Sequence, residues 1–145
     1  MNTVWGRFVD RLVTLLPGVW PQVTVYDGPV SDRSFPADYV TVGFVDDEDV
    51  SGSFEPTPQL GHLEEEVGSV RSELVCQTGD DALTAMRARA FGYVDLLKAE
   101  LRRDPTFGLP EVAAVDLTAD VLPLRNAEGT AVRIALTLTY TARGV

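Results

Sequence analysis

Residues 131–142, AVRIALTLTYTA, place Val132, Ile134, Leu136, Leu138 and Tyr140 on one side of an extended chain and Arg133, Ala135, Thr137 and Thr139 on the other. Alternation with a period of two and one apolar side is the pattern of a strand whose inner face packs on a core while its outer face stays polar. Such a strand needs a pairing partner and a layer over its apolar side.

The rest of the chain provides both. Val4, Trp5, Phe8, Leu12, Leu15 and Leu16 recur at helical spacing, with Arg7, Asp10, Arg11 and Thr14 on the other side, and Pro17-Gly18 is expected to stop this first helix. Residues 22–26 read as a short strand ended by the turn Asp27-Gly28-Pro29, and DYVTVGFV after Pro36 reads as a second. Residues 46–63, DDEDVSGSFEPTPQLGHL, combine acids, glycines and prolines without periodicity and are expected to form a long loop. In residues 67–77, Val70, Ser72, Leu74 and Cys76 alternate with Arg71, Glu73, Val75 and Gln77, a third strand.

A second helix is the clearest of all. Ala82, Met86, Ala90, Tyr93, Leu97 and Leu101 step by four or three, Thr78 or Asp80 is a plausible N-cap, Asp81 falls in the first turn, and Arg102-Arg103 close the last one in agreement with the helix dipole. Beyond Pro105, Val115, Leu117, Ala119 and Val121 alternate with Asp116, Thr118 and Asp120, and the turn RNAEG leads into the closing strand as an antiparallel hairpin. The order α-β-β-β-α-β-β predicts an α+β fold, a mostly antiparallel sheet with two helices on one face. Its 145 residues suit a single domain, 1–145.

Charge and cysteine content narrow the function. Twelve Lys and Arg against 22 Asp and Glu give a net charge of −10, which repels phosphate backbones, so binding to nucleic acid by charge is not expected. One cysteine, Cys76, permits neither an internal disulfide framework nor a thiolate metal cage, and points to a reducing compartment. Arg7, Asp10 and Arg11 interrupt the apolar residues of the N-terminus, which therefore reads as neither signal peptide nor membrane span; a cytoplasmic protein is expected.

Catalytic patterns are missing. His62, the only histidine, lies in the Gly- and Pro-rich loop, and Cys76 falls on the apolar side of its strand, where a small buried thiol is ordinary. Asp47, Asp49, Ser51 and Gly52 match positions 1, 3, 5 and 6 of a calcium loop, but Pro58 stands where the closing glutamate belongs. Glu64, Glu65 and Glu66 are neighbours on an extended chain and cannot all converge, so they read as a solvated acidic edge. Neither GxxxxGK[ST] nor GxGxxG occurs. We therefore expect no enzyme activity, metal or cofactor.

Several stretches, taken in order, resemble the tail terminator proteins of long-tailed bacteriophages: VYDGPV at 25–30, PADYVTVGF at 36–44, SELVCQTGDDALTAMRARAFGYVDLL at 72–97, DPTFG at 104–108 and the terminal GTAVRIALTLTYTARG. The resemblance implies an α+β subunit whose copies close into a ring, commonly of six, that caps the tail tube, ends its growth and offers the surface that joins the head. The implied partners are its own copies, the tail tube protein and a head-completion or stopper protein, at the head-proximal end of the virion tail after assembly in the host cytoplasm. DNA would pass through without specific binding, and no membrane is involved. Asp46, Asp47, Glu48, Asp49, Glu64, Glu65 and Glu66 are the candidate channel or interface acids. The alternatives are another head-to-tail connector, a stopper or adaptor, or a small α+β ligand-binding domain.

Overall fold

The computed structural model describes residues 3–30, 36–46, 48, 50–58, 64–79, 82–123 and 129–144. Its spine is a pair of long antiparallel strands, β4 (Glu64–Thr78) and β6 (Thr130–Arg143), in register from Glu65 opposite Arg143 to Thr78 opposite Thr130. Strand β5 (Val112–Leu122) pairs antiparallel with the far edge of β6, with an irregularity between Val112 and Ala114. The other edge of β4 is shared. Strand β2 (Asp38–Val42) runs along its second half, and β1 (Thr24–Asp27) lies parallel to β2, giving the path β1-β2-β4-β6-β5.

The first half of that edge is taken by β3 (Gly52–Pro58), paired from Gly52 opposite Val70 to Pro58 opposite Glu64. This corrects the sequence expectation of one continuous loop over 46–63; residues 47, 49 and 59–63 lie outside the described residues. Two prolines conceal the strand, and the pairing shows why they are tolerated. The Ser51 carbonyl accepts the Arg71 N–H, so odd-numbered residues here turn their backbone groups toward β4. Pro56 and Pro58 take even positions, where the missing N–H would have faced the open edge. The element order is therefore α-β-β-β-β-α-β-β, and the sheet is mostly antiparallel, an α+β arrangement.

Helices α1 (Trp5–Val19) and α2 (Leu83–Arg103) pack on one face of this sheet. Phe8, Leu12 and Leu16 from α1, with Met86, Ala90, Tyr93, Val94, Leu97 and Leu101 from α2, meet Val40, Val70, Leu74, Cys76 and the alternating Val132, Ile134, Leu136, Leu138 and Tyr140. Pro17 does not end α1, as local propensity predicts; it sits in the last turn, and the Trp20 N–H closes that turn on the Leu16 carbonyl at 2.8 Å. Trp20 is fully buried and its indole N–H donates to the Tyr93 carbonyl at 2.8 Å, so tertiary anchoring overrides the breaker. Helix α2 begins at Leu83 without a side-chain cap, Thr78 belongs to β4, and Asp80 and Asp81 lie outside the described residues. Opposite Tyr140, Gly68 leaves the room its ring occupies, since a Cβ there would come within 2.4 Å of the phenol.

Candidate functional site

The sheet has one covered and one largely uncovered face, and cross-strand register assigns the residues of the second. Glu65, Val67, Ser69, Arg71, Glu73 and Val75 of β4 lie beside Arg143, Thr141, Thr139, Thr137, Ala135 and Arg133 of β6, and beside Asp116, Thr118 and Asp120 of β5. Ser53 and Glu55 of β3 extend the same surface. Its Glu73 end is closed: Glu73, Val75, Arg133 and Ala135 are buried, and Pro29, Val30 and Phe44 border a cavity of about 210 Å³ over Tyr39, Thr41, Asp46 and Glu73. Toward the other end the surface opens, with Val67 39% exposed and Ser53, Glu55, Asp116, Thr118 and Asp120 all exposed.

Each arginine on this face is neutralised in place. Glu48 grips Arg71 through both carboxylate oxygens, at 2.6 and 2.8 Å, while Arg71 also donates to the Thr137 hydroxyl at 3.1 Å. Glu73 holds Arg133 at 2.8 Å, and Arg133 donates onward to the Pro123 carbonyl at 2.7 Å. Glu65 accepts from Arg143 at 2.9 Å. Glu55, Asp116 and Asp120 add negative charge that no described cation on the face offsets. The helical layer has the opposite sign. Arg7, Arg11, Arg87, Arg89, Lys98, Arg102 and Arg103 stand against Asp10, Asp95 and Glu100, seven cations to three acids and a net +4, in a chain of net −10.

Between these layers lie buried polar groups that fix the fold. Glu66 is 0% exposed; its Oε2 accepts the Tyr140 hydroxyl at 2.6 Å and the Val4 N–H at 3.0 Å, and burial with the Glu66 carboxylate pushes the Tyr140 phenol up. Asp38 accepts the Tyr93 hydroxyl at 2.7 Å and an Arg89 N–H at 2.8 Å. Burial is the main reason that the neighbouring Cys76 thiol is pushed up to about 12, and Tyr93 likewise. A thiol so held is protonated at neutral pH and is not a nucleophile.

The acids singled out in the sequence are thus dispersed. Asp46 is exposed beside the cavity, Glu48 is tied to Arg71, Glu64 is exposed at the start of β4, and Glu65 is tied to Arg143. Glu66 departs from the solvated edge expected of it, because its position in β4 points it at the helix-covered side, between Tyr140 and the start of α1. Asp47, Asp49 and His62 lie outside the described residues. Gly52 opens β3 directly after Ser51, and Pro58 pairs in it, so that part of the calcium-loop spacing is spent on a strand. Asp116 and Asp120 were absent from the candidate acids, although the alternation of β5 already set them on the face opposite Val115, Leu117 and Val121. Among the described residues, no three His, Cys, Asp or Glu side chains gather as a metal set, and no helix is long and apolar enough to cross a membrane.

No model of a protein family matches the sequence, and no curated protein is similar to it. Similarity appears at the level of fold. A chain from the virion of a native gene transfer agent particle superposes with a TM-score of 0.56 and 14% identity, covering 99% of this chain and 100% of the other. Two chains of nearly equal extent therefore share one architecture from end to end.

Proposed function

We propose that this chain is a structural protein of a phage-type virion, and specifically a tail terminator whose single domain assembles into a ring, commonly of six copies, at the head-proximal end of the tail. The observation that carries the reading is the end-to-end likeness of fold to a chain of the gene transfer agent virion. The resemblance of the ordered stretches in the sequence supports the finer assignment. In this role the protein caps the tail tube, stops its elongation and presents the surface that a head-completion or stopper protein joins. It acts by shape and repetition and performs no bond-making chemistry.

The physical properties suit such a part. Sheet edges at β1 and β5 and a largely uncovered sheet face leave surface for heterologous contacts, in which one patch of each copy meets a different patch of the next. The net charge of −10 per copy gives a passage through which DNA slides without adhering. Asp46, Glu48, Glu64 and Glu65, with Asp47 and Asp49 beside them in sequence, remain the candidate acids for that passage or its rim, whereas buried Glu66 does not reach it.

The test is tube growth. Tail tube protein polymerised with increasing amounts of this protein should give tubes of progressively limited length. Unchanged lengths, with the protein instead required for attaching heads to finished tails, would assign it to a stopper or adaptor.

A further inference from the structure

The opposed charges of the two layers imply how copies recognise each other, and we propose that the α2 flank formed by Arg87, Phe91, Lys98 and Arg102 docks on the open, acidic sheet face of a second copy, around Asp116, Asp120 and Glu55. The inference rests on the ring reading above and names the two surfaces that meet.

Positions 87, 91, 98 and 102 are separated by four, seven and four residues, so at 100° per residue they form one stripe of α2, all four of them exposed, and exposed Asp95 at its edge leaves three cations against one acid. It lies to one side of the buried stripe centred on Ala90 and Leu97; Arg89, which reaches Asp38 on β2, lies to the other. None of Arg87, Lys98 and Arg102 takes part in an ion pair among the described residues, whereas Arg7, Arg71, Arg89, Arg103, Arg133 and Arg143 all do. Phe91, 40% exposed, supplies an apolar centre within the stripe.

The sheet face is its complement. Asp116, Asp120 and Glu55 are exposed and equally without a described cation, and the arginines that would repel an incoming basic helix are already held by Glu48, Glu73 and Glu65. Between the acids the surface is rich in hydroxyls, with Ser69, Thr118, Thr137, Thr139 and Thr141. Four residues of strand separate Asp116 from Asp120 by roughly 13 Å. Eleven residues of helix separate Arg87 from Lys98 by roughly 16 Å, a difference that long Arg and Lys side chains cover. Copies of net −10 repel one another as whole molecules, so contact is favoured where positive charge is locally in excess, and Arg87, Lys98 and Arg102, which form no ion pair among the described residues, are such a place. Because the two patches differ, each copy offers one and receives the other, which is the requirement for a ring.

Charge reversal in two separate variants tests this, with assembly read by native mass spectrometry and mass photometry in the presence of tail tubes. Arg87→Glu/Lys98→Glu and Asp116→Arg/Asp120→Arg should each fold as the parent does, by thermal melting, and each should need about tenfold more protein or greater to assemble. Mixed in equal amounts they should assemble again, into complexes holding both variants in equal number, because the reversed helix of one fits the reversed sheet of the other. If both variants assemble like the parent, the proposed contact is wrong while the ring stands. A parent protein that never associates removes both. Assembly left intact, with Arg87→Glu/Lys98→Glu abolishing retention of duplex DNA, would assign the stripe to nucleic acid and overturn the proposal.

Discussion

The Tyr140 hydroxyl donates to Glu66 Oε2 at 2.6 Å, and the same oxygen accepts the Val4 N–H at 3.0 Å, so one buried carboxylate joins β6, β4 and the start of α1. Its other oxygen, Oε1, is buried without a hydrogen-bond partner among the described residues. Glu66→Ala strands two buried donors, and each such group costs about 1–3 kcal/mol; urea unfolding should show a loss of about 3 kcal/mol. Glu66→Gln keeps a carbonyl acceptor and should lose less. An alanine variant as stable as the parent would mean that water satisfies both donors.

Gly68 faces the same ring. A Cβ at this position meets the Tyr140 phenol at 2.4 Å, too close for any side chain, so Gly68→Ala must displace a fully buried aromatic that also stacks on Phe8 with centroids 4.6 Å apart. Overpacking of this kind costs about 1–3 kcal/mol. Thermal melting should fall by several degrees, and in a double-mutant cycle with Tyr140→Leu the two losses should be less than additive.

Glu73 and Arg133 form a buried ion pair at 2.8 Å on the closed end of the second face. Arg133→Met leaves a buried carboxylate unpaired and should destabilise by about 3–5 kcal/mol, whereas Glu73→Leu/Arg133→Met together should lie much nearer the parent. A double-mutant cycle in denaturant measures the coupling; additive losses would show that the pair does not act as a unit.

Alkaline stability follows from Cys76 and Tyr93. Both are held protonated in the fold, up to about 12, against ordinary values of 9.0 and 10.0. In that interval the unfolded chain has released these protons and the folded chain retains them, so stability falls as pH rises. Their contribution is complete below pH 9 and is lost progressively toward pH 12. Melting temperatures recorded across this range should decline, and less steeply for Cys76→Ala/Tyr93→Phe. An identical slope in that variant would place the alkaline sensitivity elsewhere.

Much of this fold was legible in the sequence wherever one physical rule acted alone. The alternation of 131–142 became β6, and the stripe from Met86 to Leu101 became the buried side of α2. Reading failed where a second effect prevailed. Pro56 and Pro58 are strand breakers by propensity, yet pairing on the open edge of β4 costs them nothing, so β3 passed for loop. Glu66 read as solvated because charge is normally exposed, and only the long-range arrival of Tyr140 and Val4 makes its burial possible. The open face was half visible: β5 alternation gave Asp116 and Asp120 one side, but their neighbours on β6 and β3 depend on a register that a sequence does not carry.

If copies of this chain close into a ring on the end of a tail tube, cryo-electron microscopy of purified tubes incubated with the protein should reveal it. A single ring, built of several copies, should sit at one end of each tube. Bare tube ends beside a protein that stays monomeric, or copies scattered along the tube wall, would rule the capping ring out.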